Sequence, residues 1–408
     1  PPPPPPPPPP PRISKRVVKA AKAILDFKKT IANGPKEVLD SWKGLDACKY
    51  KGVTCDKIPD FDNERAVAGI DFNGYGFEGK GGQLKLEGFI ERLEDLAFFH
   101  ANSNNFTGMV PDIDLKKIRF LYEFDLSNNK LSGEFPYKVL AAKNLTFLDL
   151  RFNQFYGQVP NEIFTLDVQV IFINNNNFLQ NLPSNLGQTP ALYLTFANNE
   201  FTGQIPGSIG LASETLIEVL FLNNKLSGCL PYEIGLLKKT TLFDASQNKI
   251  TGPIPQSFAC LKKIEILNLA SNHLYGEVPE LVCKLPNLQN LSLSDNYFTQ
   301  VGTLCRKLIM QKRLNVRNNC IFDLPNQRPK EECERFFTKN PKTCSQNKMM
   351  YYIPCTRQWA YQGSELSDGR QLFASYDDGD DHDHDHDSGR GSSSPVLYGA
   401  LTPNGLRI

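Results

Sequence analysis

No stretch of the 408-residue sequence approaches the ~20 consecutive apolar residues that a membrane-spanning helix needs, so no bilayer span is expected in it. A charge surplus is missing too: 45 Lys and Arg face 44 Asp and Glu, for a formal net charge of +1. A dedicated nucleic-acid binder neutralises phosphates with a strong basic excess, so that class of partner is set aside. There is no nucleophile elbow, no phosphate-cradling glycine loop and no metal-ligand helix, and hence no support for an enzyme. With neither span nor kinase motif, a receptor kinase is not expected. The ten cysteines contain no C-x-x-C pair, which argues against a zinc site of the usual spacing. An initiator Met is absent as well, the chain opening inside a proline run, so the lack of a signal peptide says nothing about secretion.

What is present is a folded composition, 40% hydrophobic and 22% charged, in a chain too long for one ordinary core unless it adds repeating units. One unit reads Leu121-Tyr-Glu-Phe124-Asp-Leu126-Ser-Asn-Asn129-Lys-Leu131-Ser-Gly133-Glu-Phe135-Pro136. Its Asn recurs at Asn104, Asn129, Asn153, Asn176, Asn199, Asn224, Asn248, Asn272 and Asn296, every 23 to 25 residues. A degenerate first copy, Val67-Ala-Gly-Ile70-Asp-Phe72, has Tyr75 in place of the Asn. The alternating apolar pair predicts a short strand with one buried face. The Asn bonds backbone at the turn and stacks from rung to rung. Gly133, Gly157, Gly203, Gly228, Gly252 and Gly276 permit a bend, and the following Pro sets the return path. The expected fold is therefore an α/β repeat, a right-handed leucine-rich-repeat solenoid with a parallel β-sheet on its concave face, capped at both ends.

The cysteines bracket this array. Cys48 and Cys55 lie near its start; Cys229, Cys260, Cys283, Cys305, Cys320 and Cys333 follow, with Cys344 and Cys355 last. An even number around a repeat array predicts disulfide-tied ends in an oxidising compartment. Cys48–Cys55 closes a short, isolated loop and is the one pair the spacing singles out. At the head, Val17, Ala21, Ile24, Leu25 and Ile31 have helical spacing. The expected domains are a polyproline segment over 1–12, an N-terminal cap over 13–66, about ten repeats over 67–300, a Cys-rich cap over 301–360 and a disordered Asp/His/Gly/Ser-rich tail over 361–408.

Strand positions alternating with the buried pair face the concave side. They give Glu123 and Asp125, Asp149 and Arg151 with Phe152 beside them, Phe172 and Asn174, and Tyr193 and Thr195. Further along come Glu218, Leu220 and Leu222, Asp244 and Ser246, and Asn268. Acids outnumber bases here, and Phe172, Leu220 and Leu222 read as exposed apolar anchors; such a strip suits a basic partner. Arg151 either clamps an acidic group of a ligand or pairs with Asp125 or Asp149. His100, also concave, reads as a surface residue. Glycosylation sequons begin at Asn105, Asn144 and Asn290, the last beside the strip. The tail Asp377-Asp-Gly-Asp-Asp-His382-Asp-His384-Asp-His386-Asp reads as a solvated acidic segment, so neither a metal nor a cofactor is implied.

The Gly-x-Ile/Val-Pro ending resembles the plant-specific class of leucine-rich repeats, and Ser41-Trp42, Cys48, Tyr50-Lys-Gly52-Val53 and Cys55 resemble that class's N-terminal cap. More specific are Leu148-Asp149-Leu150-Arg151-Phe152-Asn153, Gly228-Cys229-Leu230-Pro231, Ile264-Glu265-Ile266-Leu267-Asn268-Leu269, Leu281-Val282-Cys283 and Asn319-Cys320-Ile321. Together, over residues 13 to 335, they resemble the leucine-rich-repeat extensins of plant cell walls. That resemblance implies a secreted, extracellular wall protein that captures a basic, cysteine-rich signalling peptide of the rapid-alkalinization-factor type. It also implies roles in wall integrity and growth, a link to pectin through the peptide, and a homodimer. The family's Ser-(Pro/Hyp) blocks and Tyr motifs do not follow the repeats here, which points to an extensin-poor relative. Inhibition of a secreted hydrolase such as a polygalacturonase, or a structural pectin-associated role, is the alternative.

Overall fold

The computed structural model describes residues 13–58, 64–114, 119–339, Cys344 and Cys355. The polyproline segment and the Asp/His tail lie outside these residues.

Twelve short strands form one sheet in chain order, all parallel except the first pair, where Val53–Lys57 runs antiparallel to Arg65–Asp71. The parallel strands recur once per rung, as Phe98–His100, Glu123–Asp125, Phe147–Asp149, Val170–Phe172 and Tyr193–Thr195. They continue through Glu218–Leu220, Leu242–Asp244, Ile266–Asn268, Asn290–Ser292 and Leu314–Asn315. Each places one residue inward, such as Leu148, Ile171, Leu194 and Val219, and these merge into one long core. Two further four-stranded parallel sheets line the side of the array, one from Thr107–Gly108 to Asn177–Phe178, the other from Ser227–Cys229 to Tyr297–Val301.

Between strands the chain turns on the recurring Asn-Gly-Pro pattern. Asn129 Nδ2 donates to the carbonyls of Ala101, Leu126 and Ser127 at 2.9, 3.0 and 2.9 Å, while its Oδ1 accepts from the Phe106 N–H at 3.0 Å. One amide thus satisfies turn groups of its own rung and of the rung before it, and the same set recurs at Asn199. Gly133 and Gly252 adopt φ of 99° and 89°, backbone that a β-carbon disfavours. Pro136, Pro160, Pro206, Pro231 and Pro255 each stand directly before a 3₁₀ turn of the convex side. Fixed φ and the missing N–H suit proline to that first position.

Among the described residues the α-helices are confined to the ends. Helix α1, Lys15–Lys28, is capped by Ser14, whose Oγ accepts from the N–H of Arg16 and of Val17, and it buries Val17, Ala21, Ile24 and Phe27. Ile31 does not continue this helix, as its spacing suggested. The chain turns at Lys29, and Ile31 opens a short strand, Ile31–Asn33, antiparallel to Glu78–Gly79. Its side chain still reaches the same core, so an apolar residue at helical spacing was kept while the backbone changed. Helix α2, Lys36–Ser41, leads to Trp42, which is buried and donates from Nε1 to the Lys51 carbonyl at 2.9 Å.

At the far end lie helices α3, Thr303–Met310, and α4, Lys330–Lys339. Cys283–Cys305 ties α3 to the last convex turn, and Cys320–Cys333 ties α4 to the final rung. Cys48 is bonded to Cys55. Cys344 and Cys355, read from sequence without partners, complete the set by bonding Cys229 and Cys260 across 115 and 95 residues. Separations that long carry no local signal.

Candidate functional site

Register turns the concave positions into straight rows. One row runs Phe98, Glu123, Phe147, Val170, Tyr193, Glu218, Leu242, Ile266, Asn290. The next runs His100, Asp125, Asp149, Phe172, Thr195, Leu220, Asp244, Asn268, Ser292. Strands spaced ~4.8 Å apart bring each side chain against its row neighbours.

The centre of this surface is apolar. Val170, Phe172, Ala197, Leu220 and Leu242 form a cluster separate from the main core, with Phe147, Tyr193, Leu222 and Ile266 packed around it. Here the structure corrects the expectation that Phe172 and Leu220 stand exposed: each is 1% accessible, covered by its neighbours in the rows. Leu222 alone of the three remains partly open, together with Phe147, Tyr193 and Ile266. Val170, Ala197 and Leu242 escape the list drawn from sequence, although each has an apolar side chain at a concave position. The partly open residues rest on a floor of buried ones.

The acids divide in the same way. Asp125, Asp149 and Asp244 are buried, not a bare charged strip. Asp125 Oδ1 accepts from the Ser127 N–H at 2.9 Å and its hydroxyl at 2.6 Å, and Asp244 Oδ1 accepts from the same groups of Ser246 at 2.8 and 2.6 Å. Asp149 Oδ1 accepts from the Arg151 N–H at 3.0 Å. An aspartate at the end of a strand is therefore a cap for the turn that follows. Burial pushes the Asp125 carboxyl up, and burial together with the neighbouring Asp125 charge pushes Asp149 well above the ordinary range, against the pull of Arg151.

Arg151 does not reach out for a ligand. Its Nε lies 2.9 Å from Asp149 Oδ2, both side chains are almost fully buried, and its guanidinium lies over the Phe172 ring at 4.9 Å. Phe152, half-buried at the rim, takes φ of 53°, a left-handed turn position that Asn, Ser, Gln or Asp fill in the other rungs. Thr195, Asn174 and Ser246 are buried, and Asn268 is half-buried, donating to Asp244 Oδ2 at 2.8 Å.

Of the acids named from sequence, two remain nearer the surface. Glu123 Oε2 lies 2.7 Å from His100 Nε2. Glu218, half-buried among apolar neighbours, has its carboxyl pushed up by burial. Of the sequon residues, Asn144 and Asn290 are exposed and Asn105 is half-buried; Asn290 begins its strand at the end of the first concave row.

Stacked rungs, an asparagine ladder and capped ends define a leucine-rich-repeat protein. Residues 20–56 match the family described as Leucine rich repeat N-terminal domain, and residues 144–166 the one described as Leucine Rich Repeat. The chain is similar to the leucine-rich repeat extensin-like proteins of Arabidopsis thaliana. It is 40% identical to "Leucine-rich repeat extensin-like protein 2" over 228 residues, which cover 55% of this chain and 28% of that relative. With "Leucine-rich repeat extensin-like protein 6" it is 40% identical over 232 residues, 57% of this chain and 48% of the relative. The chain thus spans less than half the length of either. Among solved structures it is similar to the "Plant peptide hormone receptor RGFR1 in complex with RGF2", with a TM-score of 0.53 and 25% identity over 57% of this chain and 37% of that one.

Proposed function

We propose that this chain is a peptide-binding module of the plant cell wall. Its concave face captures a basic, cysteine-rich secreted peptide of the rapid-alkalinization-factor type, and it acts in wall integrity and growth through that capture. The observation that carries the reading is the apolar belt from Phe147 to Ile266, floored by Phe172 and Leu220 and bordered by Glu123, with Glu218 within it. A contiguous apolar patch on a surface rimmed by polar groups marks a docking site. The likeness to a peptide hormone receptor structure supports it, as do relatives named for extensin-like proteins and five disulfides, which suit an oxidising extracellular compartment.

Because Asp125, Asp149 and Asp244 are already satisfied internally, the steering charge reduces to the outer carboxylates. Calorimetric titration of the protein with a panel of folded, basic, cysteine-rich plant peptides tests the proposal. Binding is expected, falling a few-fold but not vanishing as salt rises. No binding by any of them overturns it. Loss of polygalacturonase activity on mixing, without peptide binding, would instead favour the hydrolase-inhibitor reading.

A further inference from the structure

We infer that Glu218 is the anchor of the concave face: its carboxylate receives a lysine or arginine side chain of the bound peptide, whose apolar neighbours settle on Tyr193, Leu222 and Ile266. The inference rests on the peptide-binding reading above and narrows it to one contact.

Glu218 stands in register between Tyr193 and Leu242, with Leu220 two residues along its own strand. Among the described residues its carboxylate makes no hydrogen bond and no ion pair. The other carboxylates of the two concave rows are engaged: Asp71 with the Asn73 N–H, Glu123 with His100, Asp125 with Ser127, Asp149 with Arg151, Asp244 with Ser246 and Asn268. No lysine or arginine occurs on the strands from Tyr193–Thr195 to Ile266–Asn268, so the fold offers no cation there. A half-buried carboxylate with no partner destabilises a belt that an apolar residue would complete. A ligand cation set within apolar side chains removes that cost, and a charge-assisted hydrogen bond in a poorly hydrated setting is stronger than one in water.

The titratable groups on the two flanking strands are Tyr193 and Asp244, and Asp244 is held by Ser246 and Asn268. Glu218, raised by burial, is then the group whose ionisation governs the contact, and affinity should increase as pH rises through its titration.

The test uses the peptide that binds in the titration described above. Glu218→Gln is expected to weaken it about tenfold or more and to remove the increase in affinity with pH. Glu218→Leu is expected to melt above the wild type near neutral pH while binding poorly. Leu222→Asp disrupts the belt without touching Glu218 and should abolish binding. If Glu218→Gln binds as the wild type with an unchanged pH profile while Leu222→Asp fails, the anchor assignment is wrong and the concave reading stands. If Leu222→Asp also binds normally, or the wild type binds nothing, both are wrong. A Glu218→Leu protein no more stable than the wild type overturns the claim that this carboxylate is a burden to the fold.

Discussion

Asp125 and Asp149 lie side by side on neighbouring strands, both out of water, and both carboxyls hold their protons to higher pH than free aspartate. Protonation therefore favours the folded state. The stability they contribute is fully present below the ordinary value of 3.8 and is lost as pH rises through the raised values. In Asp125→Asn the amide oxygen still accepts from the Ser127 N–H and hydroxyl, and the charge beside Asp149 is gone. Urea midpoints measured from about pH 4 to 7 should fall less steeply for this variant than for the wild type. An unchanged slope would show that the two carboxyls do not repel. These residues also mark where sequence reading stops. Alternation places Asp149, Phe172 and Leu220 on the concave side, because a strand sends side chains to opposite faces. It says nothing of how closely eleven stacked rungs cover one another, so acids and apolar anchors that read as exposed are buried instead.

At the level of the element, the asparagine ladder holds one rung to the next. Asn199 Nδ2 donates to the carbonyls of Ile173, Phe196 and Ala197, and its Oδ1 takes the Phe178 N–H. Asn199→Ala strands buried backbone groups in two rungs and should cost about 3 kcal/mol. Hydrogen exchange at the Phe178 amide should accelerate well beyond what the global loss predicts; uniform acceleration would show that the ladder is not a local clasp. This element was the most legible part of the chain, since a fixed period with one polar residue at the turn admits few other folds. The lateral sheets were less so. Their strands carry Gly and polar residues and pair only because the rungs bring them level.

Across the whole molecule, each rung buries its faces only against its neighbours, so the ends decide stability. The N-terminal end is closed by packing of α1 and Trp42 and by one local disulfide, Cys48–Cys55. The C-terminal end is closed by covalent bonds, two of them reaching back to Cys229 and Cys260. Loops of 115 and 95 residues give the largest restriction of the unfolded chain, about 4–5 kcal/mol each in the chain-entropy account. The paired replacement Cys229→Ser with Cys344→Ser should lower the thermal midpoint by several degrees and loosen the C-terminal rungs first, read by hydrogen exchange. A midpoint that does not move would mean the bond adds nothing to the array.

The ladder also sets a rule for how such a chain can change in length. From Asn104 to Asn296 each rung is keyed to the one before it through its Asn, with Gly and Pro four and seven residues further on in most of them, and one extra residue inside a strand would exchange its inward and outward side chains. Insertions of one or two residues are therefore tolerable only on the convex turns. A longer or shorter concave face is reached in whole quanta of about two dozen residues, by duplicating or deleting a complete coil. Repeat number and the chemistry of the concave face are consequently separable: the first changes by copying, the second by substitution at positions such as Glu218, made on a frame that stays in step.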